Sequence, residues 1–143
     1  MLRVPVRQLE EFVSRARRTL RLPSGSLTVC FVTNAAIAAW NRAYRHKSGP
    51  TDVLSFPAGE SASHIPGKLP ARIARLKNAY LGDIAIAPAV ARRNALRFGR
   101  TFSQELRILI LHGMLHLVGY DHETDTGQMD RRERQLRRRL GLA

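Results

Sequence analysis

Three of the five histidines fall within HGMLHLVGYDH, residues 112–122. His112 and His116 are four apart, so on a helix both imidazoles leave the same face, one turn from each other. Gly119 then offers the left-handed backbone position at which a helix can end and the chain turn back. That reversal can bring His122 to the same point in space. Three neutral imidazoles converging from a helix and the turn after it make a zinc site with one coordination position left for water. Alternatively, His112 and His116 are ordinary core histidines. Burying two unpartnered imidazoles on an apolar helix costs a few kcal/mol, which a metal or hydrogen bonds must offset.

Metzincin proteases share this spacing of three histidines and a glycine, but place a glutamate directly after the first histidine as general base. Here that position is Gly113. A protease without its general base forfeits roughly 10²–10⁴ in rate, so peptide hydrolysis is disfavoured while zinc is not. The metal alone lowers the pKa of a bound water to about 7, which generates hydroxide without a neighbouring carboxylate.

The elements that must position these residues follow from hydrophobic pattern. A helical stripe runs from Val6 to about Leu20 through Leu9, Phe12, Val13 and Ala16. LTVCFVT (27–33), VLSFP (53–57) and YLGDIAIA (80–87) read as strands, the last two stopped by Pro57 and Pro88. Asn34 is placed to cap a helix over 35–44. Another helix runs from Pro88 to about Phe98 and closes at Gly99. Thr101 and Gln104 form a capping box that opens the helix ELRILILHGMLHLV, apolar nearly all round and so a core element. A last helix spans about Asp125 to Leu140. Residues 58–79 form a Gly-, Ser-, Pro- and Lys/Arg-rich loop.

Charge narrows the partners. The 143 residues hold 24 Lys and Arg against 11 Asp and Glu, a net +13, which points to a polyanion, nucleic acid ahead of an anionic membrane surface. An Arg-rich but merely soluble protein is the plainer alternative. The length suits one domain over 1–143. Cys30 is the single cysteine, so no intrachain disulfide forms, and in its strand it reads as a buried small hydrophobe. MLRVPVRQLEEF lacks a signal peptide's apolar run, and LTVCFVTNAAIAAW is too short to span a bilayer. A soluble, cytoplasmic protein is expected, with no membrane partner.

At this point the sequence resembles the YbeY family, bacterial endoribonucleases of ribosomal RNA maturation. HGMLHLVGYDHE resembles the family signature, AYRHKSGPTDVLSFP (43–57) its second block, and YLGDIAIAPAVA (80–91) its L-G-D-I strand. The similarity covers roughly residues 27 to 141. It implies one zinc ion on His112, His116 and His122, and cleavage of single-stranded RNA. It also implies 3′-end formation of small-subunit ribosomal RNA, ribosome quality control, and contact with the ribosome or its small subunit. The implied fold is α+β, a mixed sheet of about four strands flanked by about five helices. The family begins with a strand before the first helix, and only LRVPV can play that part here. The loop at 58–79 is longer and more basic than the family's.

Arg45 matches the family arginine implicated in activity. A guanidinium near zinc would bind the scissile phosphate and stabilise charge building in the transition state; the alternative is a solvated arginine at a helix end. His46 and Lys47 beside it read as exposed. Asp52 and Asp83 are candidates to orient a zinc-bound histidine through its second ring nitrogen, although a strand-end hydrogen bond also accounts for Asp83. Asp121 and Glu123 flank His122 as possible outer-shell groups, with turn capping the plainer role for Asp121. Ser55 is a substrate-contact candidate, otherwise packing, and His64 reads as surface. The arginines at 92, 93, 97 and 100, and those between 131 and 139, cannot all share one face, so only a subset can line an RNA groove. The rival to a zinc endoribonuclease is a non-catalytic ribosomal-RNA-binding assembly factor with structural zinc. Structural sites usually close with four protein ligands, and no fourth Cys or His lies at short spacing.

Overall fold

The helix that carries the histidine pair is stable only if it is surrounded, because hardly any of its surface is polar. In the computed structural model, which describes residues 2–58, 80–121 and 124–142, it lies at the centre. The described residues form α1 (Val6–Thr19), β1 (Leu27–Phe31), α2 (Asn34–Arg45), β2 (Val53–Pro57), β3 (Gly82–Ile86), α3 (Pro88–Phe98), α4 (Phe102–Leu117) and α5 (Gln128–Arg139). This is an α+β fold. Its mixed sheet has the order β1-β3-β2, with β1 parallel and β2 antiparallel to the central β3.

Three strands are described where about four were expected. LRVPV, the expected extra strand, has no regular structure over residues 2–5. Pro5 has no N–H for a ladder and sits instead at the N-cap of α1, while the Val6 N–H turns back onto the Val4 carbonyl at 2.8 Å. Apart from Ala58, the basic loop and His64 lie outside the described residues.

Central α4 covers one face of the sheet with Leu106, Ile110, Leu111, Met114 and Leu115, all fully buried. Leu9, Phe12 and Ala16 of α1 and Met129 and Leu136 of α5 close around it. Each such aliphatic side chain contributes roughly 1.5–3 kcal/mol on burial. On the opposite face, Ile37 of α2 packs with Leu54, Ala87 and Val90. No helix among the described residues is long and apolar enough to cross a membrane.

Local chemistry sets the ends of α4. The Thr101 hydroxyl accepts from the Gln104 N–H at 3.1 Å and the Gln104 side chain accepts from the Thr101 N–H at 2.9 Å, so the expected capping box is formed. At the far end Gly119, with φ +108°, turns the chain, and the Tyr120 N–H reaches back to the Leu115 carbonyl at 3.0 Å. For α2 the cap is Thr33 rather than Asn34. Thr33 is extended (φ −74°, ψ 160°) and accepts from the Ala36 N–H at 3.1 Å, whereas Asn34 is already helical. The last helix starts at Gln128 rather than Asp125, because the Asp125 carboxylate instead takes the Gly127 and Met129 N–H groups at 2.9 and 2.8 Å.

The spacing between α4 and the sheet depends on Gly113. A Cβ there would lie 2.8 Å from Cγ2 of Ile84 on β3, closer than real contacts allow. The Ser55 hydroxyl donates to the Gly113 carbonyl at 3.3 Å and ties β2 to the same point of the helix.

Candidate active site

Both histidines leave α4 on one side, and their neighbours fix how each ring is turned. His116 Nδ1 lies 2.9 Å from the Tyr120 carbonyl. A carbonyl only accepts, so Nδ1 carries the proton and Nε2 is the acceptor of that ring. The carbonyl is within reach because the Gly119 reversal folds the chain back over the last turn of α4. His112 Nδ1 lies 2.7 Å from Oε1 of Glu133 on α5, a carboxylate whose side chain is 15% exposed. It donates there by the same logic, leaving Nε2 as its acceptor.

The two Nε2 atoms are 3.2 Å apart, with ring planes at 78°. Two acceptor nitrogens at that distance repel unless a cation, a shared proton or a metal, lies between them. Tetrahedral zinc with Zn–N bonds of about 2.0–2.1 Å holds its nitrogens about 3.3 Å apart, so the pair fits zinc. Among the described residues no group of three His, Cys, Asp or Glu side chains converges as a metal cage. His122, the expected third ligand, lies outside the described residues, as does Glu123.

The pair opens into a cleft of about 840 Å³. Arg45 and Lys47, at the end of α2 and just beyond it, line one part; Asp52 and Ser55, from β2 and the residue before it, line another; Tyr120 and Asp121 follow the histidines. The structure therefore gathers Arg45, Asp52, Ser55 and Asp121 around His112 and His116. Asp52 does not face the rings with its carboxylate. Asn94 of α3 donates to its Oδ2 at 3.0 Å and Thr51 to its Oδ1 at 3.4 Å. The Asp121 carbonyl accepts from the Thr124 and Asp125 N–H groups at 3.2 and 3.0 Å, shaping the turn after the cleft.

Asp83 is not part of this gathering. Alternation along β3 turns Ile84 toward Gly113 of α4 and Asp83 to the other face of the sheet. There the Tyr80 hydroxyl bonds both Asp83 and, at 2.8 Å, the Thr28 hydroxyl. Burial, then the hydrogen bond to Asp83, pushes the Tyr80 phenol up. Burial and, after it, the Asp83 charge push the Cys30 thiol up.

Glu133, which aligns His112, was not among the residues picked from sequence. It stands in MDRRERQLRRR, where an acid reads as a salt-bridge partner for nearby arginines, and Arg137 does lie 3.9 Å from it. A usable signal exists nonetheless. Glu133 is four residues after Met129 and three before Leu136, so it shares their buried face.

Fold and cleft define a class, α+β domains in which a histidine-bearing central helix is backed by a mixed sheet. Comparison with known proteins narrows it. The family model described as endoribonuclease YbeY matches residues 5–141. A protein named endoribonuclease YbeY from Koribacter versatilis is 37% identical over 139 residues, covering 97% of this chain and 80% of that one. Another of the same name from Geobacillus thermodenitrificans is 36% identical over 140 residues, covering 96% and 87%. The solution structure of TM1509 from Thermotoga maritima superposes with a TM-score of 0.61 at 26% identity, covering 97% of this chain and 85% of that one. The chain belongs to the YbeY endoribonuclease family.

Proposed function

We propose that this chain is a zinc-dependent endoribonuclease that cuts single-stranded RNA in the cleft between α2, β2 and α4. Its proposed place is 3′-end maturation of small-subunit ribosomal RNA and ribosome quality control, in the cytoplasm. Family membership supports an RNA substrate, and so does the net charge of +13. The observation that carries the metal is the pair of Nε2 acceptors 3.2 Å apart, each committed to that tautomer by a partner on its Nδ1.

His112 and His116 would hold the ion, and His122 is proposed as the third ligand. Zinc bound there supplies Lewis acidity for a phosphoryl oxygen and a water whose pKa falls to about 7. The protein's own groups do the rest. Glu133 and the Tyr120 carbonyl hold both rings in the ligating orientation and raise their basicity. Arg45, on the cleft wall, binds the scissile phosphate and offsets charge that develops on it. Lys47 adds a second cation for the backbone. Gly113, pressed on Ile84, provides no carboxylate beside the first histidine, which supports phosphodiester over peptide hydrolysis.

The test is to assay cleavage and binding of a single-stranded RNA separately, with zinc-loaded protein, chelated protein and His116→Ala. Cleavage should vanish in the last two while RNA binding persists. Cutting that survives a verified loss of metal would end this proposal. Binding with no cutting under any metal would leave the assembly-factor reading.

A further inference from the structure

The cleft has one lining residue whose chemistry the reaction does not use. Tyr44 is 69% exposed, although a ring of that size is usually half covered or more. It is held in place. Its ring meets Phe56 of β2 at 5.5 Å between centroids and 78° between planes, and Phe56 in turn meets Trp40 at 5.7 Å and 88°. Tyr44 and Trp40 are four apart on α2, so the helix presents both to the same strand residue.

A T-shaped contact fixes a ring without stacking on it. If the Phe56 edge points at the Tyr44 face, the second face stays open; if the Tyr44 edge points at Phe56, both do. A flat apolar face is therefore offered at the mouth of a cleft that also contains Arg45, Lys47 and the histidine pair. Cations bind phosphate, but a nucleobase needs a π surface to replace the stacking it loses when it leaves its neighbours.

We propose that Tyr44, braced by Phe56 and Trp40, is a stacking platform for the nucleobase next to the phosphate held at the histidines. The platform rests on the RNA reading of the cleft and gives it a second half, sugar-phosphate on the cations and base on the tyrosine. Stacking is tolerant of base identity, so the platform favours an unpaired nucleotide over a paired one without choosing a sequence.

Binding to chelated protein tests this apart from catalysis. A short labelled oligoribonucleotide and a matched abasic oligomer of the same charge are titrated by fluorescence anisotropy. Wild-type protein should prefer the base-bearing strand. Tyr44→Ala and Tyr44→Leu should weaken that strand about tenfold, leave abasic binding within about twofold, and make the two strands equivalent, while Tyr44→Trp retains the preference. Tyr44→Ala or Tyr44→Leu binding the base-bearing strand as tightly as wild type would overturn the platform, as would equal losses on both strands. A protein that showed the tyrosine-dependent preference but cut no RNA when loaded with zinc would sink the nuclease proposal and leave the platform standing.

Discussion

Two places on this sheet collect groups capable of chemistry, one on each face. On the α4 side are His112 and His116. On the far side Tyr80, Thr28 and Asp83 meet, with the Cys30 thiol near enough to sense the Asp83 charge. The far set is richer in residue types, yet its polar atoms satisfy one another. In the histidine pair only the outer nitrogens are committed, to Glu133 and to a backbone carbonyl, and the inner two are aimed at a common point. The difference teaches that a site is defined by what its groups are left facing once their other hydrogen bonds are made, rather than by which groups have been brought together.

The largest expected effect breaks the near side outright. His116→Ala should lower zinc affinity, by calorimetry or metal analysis, and RNA cleavage by more than the roughly 10–100-fold that outer-shell changes typically cost. Full retention of both would erase the contrast between the two faces. Glu133→Ala comes next, with a loss of about 10–100-fold in metal affinity and a folded circular dichroism spectrum. Glu133→Gln keeps an acceptor on His112 Nδ1 and should lose less.

Gly113→Ala probes the spacing that puts the pair where it is. Overpacking against Ile84 costs roughly 1–3 kcal/mol, and the better helix propensity of alanine returns just under about 1 kcal/mol. A net fall in thermal midpoint is expected, relieved when Ile84→Val is added. An unchanged midpoint would mean that the layers are not in tight contact.

The smallest effects belong to the far face. Tyr80→Phe should cost about 0.5–1.5 kcal/mol in denaturant unfolding and leave RNA cleavage unchanged. Because the folded Cys30 thiol holds its proton more tightly than an unfolded one, its contribution to stability is complete below the ordinary thiol range and is lost as pH rises through the folded pKa. Alkylation of Cys30 should accordingly be slow near neutral pH and faster in Asp83→Asn, which removes the second cause of the shift. A slower reaction in Asp83→Asn would contradict that arrangement.

Local pattern made most of the frame legible before any coordinates. VLSFP is β2 residue for residue, and Thr101 with Gln104 marks the start of α4, because alternation and capping act over a few residues. Errors arose where neighbours compete for one role. Thr33 and Asn34 are both good caps, and only backbone conformation separates them. The strand expected in LRVPV was undone by one proline. At the site, the pairing of His112 with His116 follows from a helical turn, whereas the contacts that aim them do not. Glu133 lies 21 residues from His112, and Asn94 lies 42 from Asp52. Partners joined by tertiary packing leave no periodicity to read. Asp83 was weighed as a histidine partner from its place in a motif, but the two-residue alternation of the strand turns it the other way.

Gly113 has a consequence for what this scaffold can become. The slot directly after the first histidine is where a peptidase needs an acid, and here it is filled by the flank of a β-branched neighbour from the next layer. Installing that acid would mean prising a helix off a sheet, so a single codon change cannot convert one trade into the other. The repertoire open to this architecture was narrowed by carpentry long before any substrate arrived.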